Sequence, residues 1–252
     1  MQTSTDATRL GINRTGVQMS PKHTERMLDG MDEFEPTGAD GQPSAIEDMP
    51  LAATRLEYIE AADPLGSVPA PGTVKGAVVA AANTLTGRRP QVFIDKLAER
   101  LAFERGGARL YDAVLTKALA HEDELDGISV EQIREIRNHE AQHALLIKEC
   151  IESLGADPTA QTPCADLVGV ETMGLIQVAT DPRTTLAQTL HAALAAELLD
   201  NEGWEDLMNM ARESGHEDMA GKFKGALDQE VEHLTKVRNW YTALTMETSE
   251  LL

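Results

Sequence analysis

The sequence predicts an all-α protein: a four-helix bundle with a long crossover between helices two and three, preceded by an irregular N-terminal extension. Three observations predict it. Aromatics make up only 4% of the chain while Ala, Leu, Met and Glu are plentiful, a composition that favours helix. After Pro90, apolar residues recur at spacings of three and four through four long stretches. Most of these stretches begin or end at helix-capping or helix-stopping residues.

Residues 1–89 read as an extension rather than a second domain. Runs such as Glu35-Pro36-Thr37-Gly38 and Asp63-Pro64-Leu65-Gly66 break regular structure every few positions. Short helices are predicted between them at 21–32, 51–61 and 74–85. The extension either wraps the bundle or contacts a partner; the competing reading is disorder.

Residues 90–252 form the predicted bundle domain. Helix one, 91–120, carries Phe93, Leu97, Leu101, Glu104, Ala108, Tyr111 and Leu115 on one stripe. Helix two, 129–155, opens at Ser129 with Gln132 as a capping-box partner and stops at Gly155. Its stripe is Ile133, Ile136, Glu140, His143, Ile147 and Ile151. The connection from Gly155 to Pro182 is long enough to need a role, met by a crossover with a short helix at 165–179. Helix three, 184–213, carries Leu186, Leu190, Ala193, Glu197, Asn201, Trp204, Met208 and Ala211. Helix four, 216–246, carries Met219, Phe223, Ala226, Glu230, His233, Val237, Trp240 and Leu244.

The formal net charge of −20 argues against a nucleic-acid partner, whose phosphates need a basic face, and against an anionic membrane surface. Two cysteines, Cys150 and Cys164, with no Cys-x-x-Cys pair, exclude a zinc ribbon or a rubredoxin-type site and suit a reducing compartment. No secretory signal and no bilayer-length apolar run is visible, so a cytoplasmic chain is expected.

One glutamate per helix interrupts the apolar stripes: Glu104, Glu140, Glu197 and Glu230. Four buried carboxylates at one level need positive charge to offset them. Two divalent ions supply it, and neutral imidazoles complete the shells. Glu140-Ala141-Gln142-His143 and Glu230-Val231-Glu232-His233 place a carboxylate and an imidazole on the same helix face. A single Glu-x-x-His is weak evidence; the repeat is what carries weight. Glu104 and Glu140 lie 36 positions apart, Glu197 and Glu230 lie 33 apart, and aromatics Tyr111 and Trp204 each follow a lone glutamate by seven. A duplicated helical hairpin leaves this pattern.

The stretch from about 90 to 247 resembles the ferritin-like superfamily, which includes bacterioferritin and rubrerythrin. The segments Ala196-Glu197-Leu198-Leu199-Asp200-Asn201-Glu202-Gly203-Trp204 and Asp228-Gln229-Glu230-Val231-Glu232-His233 are similar to the third and fourth helices of those families. The resemblance implies metal ligands at Glu104, Glu140, His143, Glu197, Glu230 and His233. By the same resemblance, Asp200 is an extra carboxylate that lets a metal change ligands; alternatively it supports the ligands from behind or is solvated. Tyr111 either hydrogen-bonds a ligand, relays an electron or packs in the core. His139 is expected to point off the metal face, and Cys150 to pack.

Carboxylate-rich ligation with two imidazoles suits two iron ions, or alternatively manganese. The expected activity is that of a di-iron oxidoreductase which oxidises Fe(II) or reduces O2 or H2O2. One alternative is an oxidase or oxygenase of an organic substrate, or a manganese catalase. Another is a partner-binding bundle with a vestigial metal site. With no rubredoxin-like module in the chain, electrons would come from a separate donor, and a homodimer is expected.

Overall fold

The computed structural model describes residues 50–63, 66–69, 73–74, 76–78, 90–122, 125 and 127–250, with backbone alone at 50–55 and 247–250. Every regular element among them is helical, and none of these helices is long and apolar enough to cross a membrane. The chain divides into two compact units, 1–64 and 65–252. The first contains helix α1, Pro50–Ala61, matching the helix predicted at 51–61. The predicted helix at 21–32 lies outside the described residues, and of that at 74–85 only 74 and 76–78 are described, all helical.

The second unit contains α2 (Pro90–Ala120), α3 (Val130–Ser153), α4 (Pro163–Thr180), α5 (Leu186–Glu213) and α6 (Glu217–Glu250). Their ends follow local chemistry. Ser129 Oγ accepts from the Gln132 backbone N–H and starts α3. A full capping box closes at Thr185 and Gln188, where α5 begins. After α3, Gly155 takes φ +80. The backbone bonds Gly155 N→Glu152 O at 2.9 Å and Ala156 N→Ile151 O at 3.1 Å complete a Schellman ending, which favours glycine because the left-handed region carries no Cβ penalty there. The same end of α3 meets the segment around residue 73, whose Thr73 Oγ1 lies 3.4 Å from the Gly155 carbonyl.

The crossover is built on α4, which is held at both ends by α2. Asp95 Oδ1 accepts the Cys164 backbone N–H at 2.9 Å, supplying the N-terminal cap that Thr162 does not. In the last turn of α2, Lys117 Nζ donates to the carbonyls of Asp181 at 2.7 Å and Thr184 at 2.8 Å. The two helices therefore run side by side in the same direction. That placement returns the chain to the far end of α2, so that α5 descends antiparallel to it.

Two apolar clusters fill the space between the helices. One includes Leu110, Val114, Ile133, Ile136, Leu190 and Trp240. The other includes Leu97, Ile147, Ile151, Trp204, Leu207 and Phe223. On each of α2, α3, α5 and α6 the sequence passes from one cluster to the other, and the buried glutamates fall at the crossing. Burial of these apolar side chains supplies the main driving force for assembly. It also sets a layer of charge inside a desolvated frame. On α5 the stripe differs from expectation: Asp200 is buried, while Asn201 is half-buried and donates to the carbonyls of Glu197 at 2.9 Å and Glu230 at 3.1 Å.

Candidate metal centre

Seven acidic or imidazole side chains converge in this layer: Glu104 from α2, Glu140 and His143 from α3, Glu197 and Asp200 from α5, and Glu230 and His233 from α6. None is more than 3% exposed. Ligand atoms of Glu140, Glu197, Glu230 and His233 all lie within 4.8 Å of one another. The same limit holds for Glu104, His143 and Glu230, and for Glu104, Glu140, Asp200 and Glu230. Glu230 belongs to every group, which places it at the middle. His143 Nδ1 lies 2.7 Å from Glu230 Oε1 and 3.6 Å from Glu104 Oε2. His233 Nδ1 lies 3.0 Å from Glu230 Oε2 and 3.6 Å from Glu140 Oε1.

Both oxygens of Glu104, together with Glu140 Oε1, Glu197 Oε2, Glu230 Oε1 and His143 Nδ1, are buried without a hydrogen bond of acceptable geometry. Desolvated acceptors left this way cost free energy unless a proton or cation reaches them. In the protein alone, protons do much of this. Burial, reinforced by the charges of Glu230, Asp200 and Glu104, holds the Glu140 carboxyl well above its usual range. Glu197 and Asp200 are raised for the same reasons, against the opposing pull of the Tyr111 hydroxyl on Glu197 and the Arg100 charge on Asp200. Burial would lower His143, but the carboxylates of Glu104 and Glu230 beside its Nδ1 push it up to about 10. Burial would raise Glu230, but the imidazoles of His143 and His233 at its two oxygens bring it down to about 2. A divalent ion could take the place of these protons. The oxygen-rich set with two imidazoles fits iron or manganese.

The second nitrogen of each imidazole is held across the duplication. His143 Nε2 lies 2.8 Å from Gln229 Oε1, and His233 Nε2 lies 2.9 Å from His139 Nδ1. His139 and Gln229 are the residues immediately before Glu140 and Glu230, so each Glu-x-x-His helix steadies the other's histidine. Both contacts leave Nδ1 facing the carboxylates. His139 thus lies off the carboxylate face, as its register predicts, and meets the far nitrogen of His233. The adjacent helix α6 packs close enough for the ring to stack on His233, with centroids 5.1 Å apart.

Tyr111 packs in an apolar cluster and donates its hydroxyl proton to Glu197. Trp204 packs its ring edge-on against His143 at 5.3 Å. Gly107 on α2 makes room for a ligand candidate, since a Cβ there would stand 2.1 Å from Glu140 Oε2. Asp200 is buried rather than solvated; its Oδ1 pairs with Arg100 Nη1 at 2.8 Å, and Arg100 Nε lies 3.2 Å from Glu104 Oε1. Sequence reasoning missed Arg100. The signal was its position four residues before Glu104, one turn along the same buried face. Cys150 packs in an apolar cluster. His216 stacks on Phe93, and His191 lies against Tyr241. Glu202 and Glu232 face solvent.

Compared with known proteins, the chain matches no family model, no curated protein and no solved structure.

Proposed function

We propose that the chain is a ferritin-like di-metal carboxylate protein that holds two iron ions, oxidises Fe(II), and reduces O2 or H2O2. The observation that carries this reading is the meeting of two equivalent half-sites in one buried layer. Each half supplies a lone glutamate and a Glu-x-x-His, and their carboxylate oxygens and Nδ1 atoms crowd together in that layer. Glu104, Glu140, His143, Glu197, Glu230 and His233 would hold the ions, with Glu230 shared. Bound iron supplies the one-electron steps that these side chains lack. The protein's part is to exclude water between the two apolar clusters, to offset the ions' charge, and to fix both imidazoles through Gln229 and His139. Tyr111 restrains Glu197 through its hydroxyl. Since the chain has no second redox group of its own in the described residues, a separate donor would return electrons.

Metal analysis of anaerobically purified protein tests the reading, followed by addition of O2 or H2O2 while Fe(II) loss is monitored. Two irons per chain, absent from Glu140→Ala and Glu230→Ala, and Fe(II) oxidation faster than in buffer are expected. Manganese in their place would move the reading to a catalase-type activity. An intact chain that binds no metal would overturn it.

A further inference from the structure

The duplication is broken at two pairs of equivalent positions beside the lone glutamates. Four positions before the lone glutamate, the first half has Arg100 and the second has Ala193. Three positions after it, the first half has Gly107 and the second has Asp200. Arg100 and Asp200 meet each other on the Glu104 side of the centre, and among the described residues no arginine or lysine pairs with Glu197, whose neighbour is the uncharged Tyr111.

The guanidinium has a made seat. Arg100 is 5% exposed. It donates to the Asp200 carbonyl at 3.1 Å and lies over the Phe103 ring at 4.3 Å. Gly203 on α5 gives it space, because a Cβ there would stand 2.3 Å from Nη1. Arginine does not lose its charge in proteins, so the centre contains a permanent cation whatever else binds. The charges close with it: five carboxylates are balanced by this one guanidinium and two divalent ions. They do not close evenly, because an ion on Glu104 must share that carboxylate with Arg100.

We propose that Arg100 is a resident counter-cation that makes the two metal positions unequal. The position formed by Glu140, Glu197, Glu230 and His233 fills first. The position formed by Glu104 and His143, with Glu230 shared, fills second and more weakly. This rests on the metal-binding reading above and adds an order of filling and the residue that sets it. A unit charge bearing on a divalent ion through a shared ligand imposes a difference of at least about tenfold in dissociation constant.

Anaerobic titration of the whole chain with Mn(II), followed by calorimetry and electron paramagnetic resonance, reads both affinities and whether the ions are paired. Expected for the native chain are one tight ion with an uncoupled signal, then a second at least about tenfold weaker that gives a coupled one. Glu104→Ala should keep the tight ion and lose the weak one, and Glu197→Ala should lose the tight one. Arg100→Lys should preserve the difference. Arg100→Met combined with Asp200→Asn removes both charges without stranding either, and should narrow the ratio about tenfold or more. Equal affinities in the native chain, loss of the tight ion in Glu104→Ala, or an unchanged ratio in the double variant would each overturn the proposal and leave the metal centre standing. Failure of the native chain to bind any ion would remove both. Circular dichroism checks that each variant is folded, and if the double variant is not, the Glu104→Ala and Glu197→Ala pair decides alone.

Discussion

Replacing Gly107 with alanine probes the centre with a single methyl group. The new Cβ would stand 2.1 Å from Glu140 Oε2 and 3.0 Å from its Cδ, whereas ordinary contact begins at 3.4 Å. The oxygen must therefore retreat by about 1.3 Å, several times the ~0.2 Å within which metal–ligand distances are held. Glu140 could not then serve as a ligand from its present place. A weakening of metal binding of at least ~10–100-fold is expected, the range seen when even a supporting partner is lost. The fold should survive. Alanine in a helix interior is favoured over glycine by about 1 kcal/mol, and crowding in a packed core costs about 1–3 kcal/mol, so a net loss of ~0–2 kcal/mol is expected.

The assay is metal content and affinity by calorimetry, with thermal unfolding run in parallel. Gly106→Ala is the control one residue away, since its Cβ would meet Thr172 of α4 at 3.2 Å and no metal-centre side chain. It should alter stability and leave metal binding alone. Native metal content and affinity in Gly107→Ala would refute the argument, because Glu140 would then not be a ligand.

Three further outcomes follow from the same structure. Metal binding should tighten from about pH 6 to about pH 8. His143, pushed up to about 10, and the raised carboxyls of Glu140 and Glu197 must give up protons to the cation, and they do so less readily as pH falls. Calorimetry in buffers of different ionisation enthalpy should detect proton release, and its absence would contradict this. Asp95→Ala should cost about 1 kcal/mol by uncapping α4. Burial opposes the ionised form of Asp95, but hydrogen bonds from Thr162 and Cys164 hold it below its ordinary 3.8. Its contribution is therefore present above that value and lost as pH falls through the lower folded one, so denaturation midpoints of variant and native chain should converge in acid and stay apart at neutral pH. Finally, both thiols should react slowly with an aromatic disulfide reagent at about pH 8 until the chain is unfolded, because the thiolate is the reactive form. Burial and the neighbouring Asp95 push Cys164 up to about 12, and burial raises Cys150. Rapid labelling of the folded chain would contradict this.

Much of the architecture could be read locally. Ser129, Gly155 and Gly215 mark helix ends because caps and left-handed glycines act within a few residues. The stripes of α3 and α6 are buried as their spacing predicts, since a helical period of 3.6 residues puts Ile133, Ile136, Glu140, His143 and Ile147 on one face. The expected end of the last helix fell short: α6 runs to Glu250 because no glycine or proline stops it after Met246.

The six predicted ligand candidates were visible for the same local reason, as polar interruptions of apolar stripes repeated in each half. Their neighbours were not. Arg100 and Asp200 are 100 positions apart, His139 and His233 are 94 apart, and His143 and Gln229 are 86 apart. Which of them touch depends on the rotation and axial register of one helix against another. An apolar stripe leaves that open, because an adjacent residue lies only about 100° around the helix. The sequence by itself determined that four carboxylates and two imidazoles would be buried. Only the packing of α2 against α5, and of α3 against α6, decided that a fixed cation would share their layer and that each histidine would be held from the opposite half.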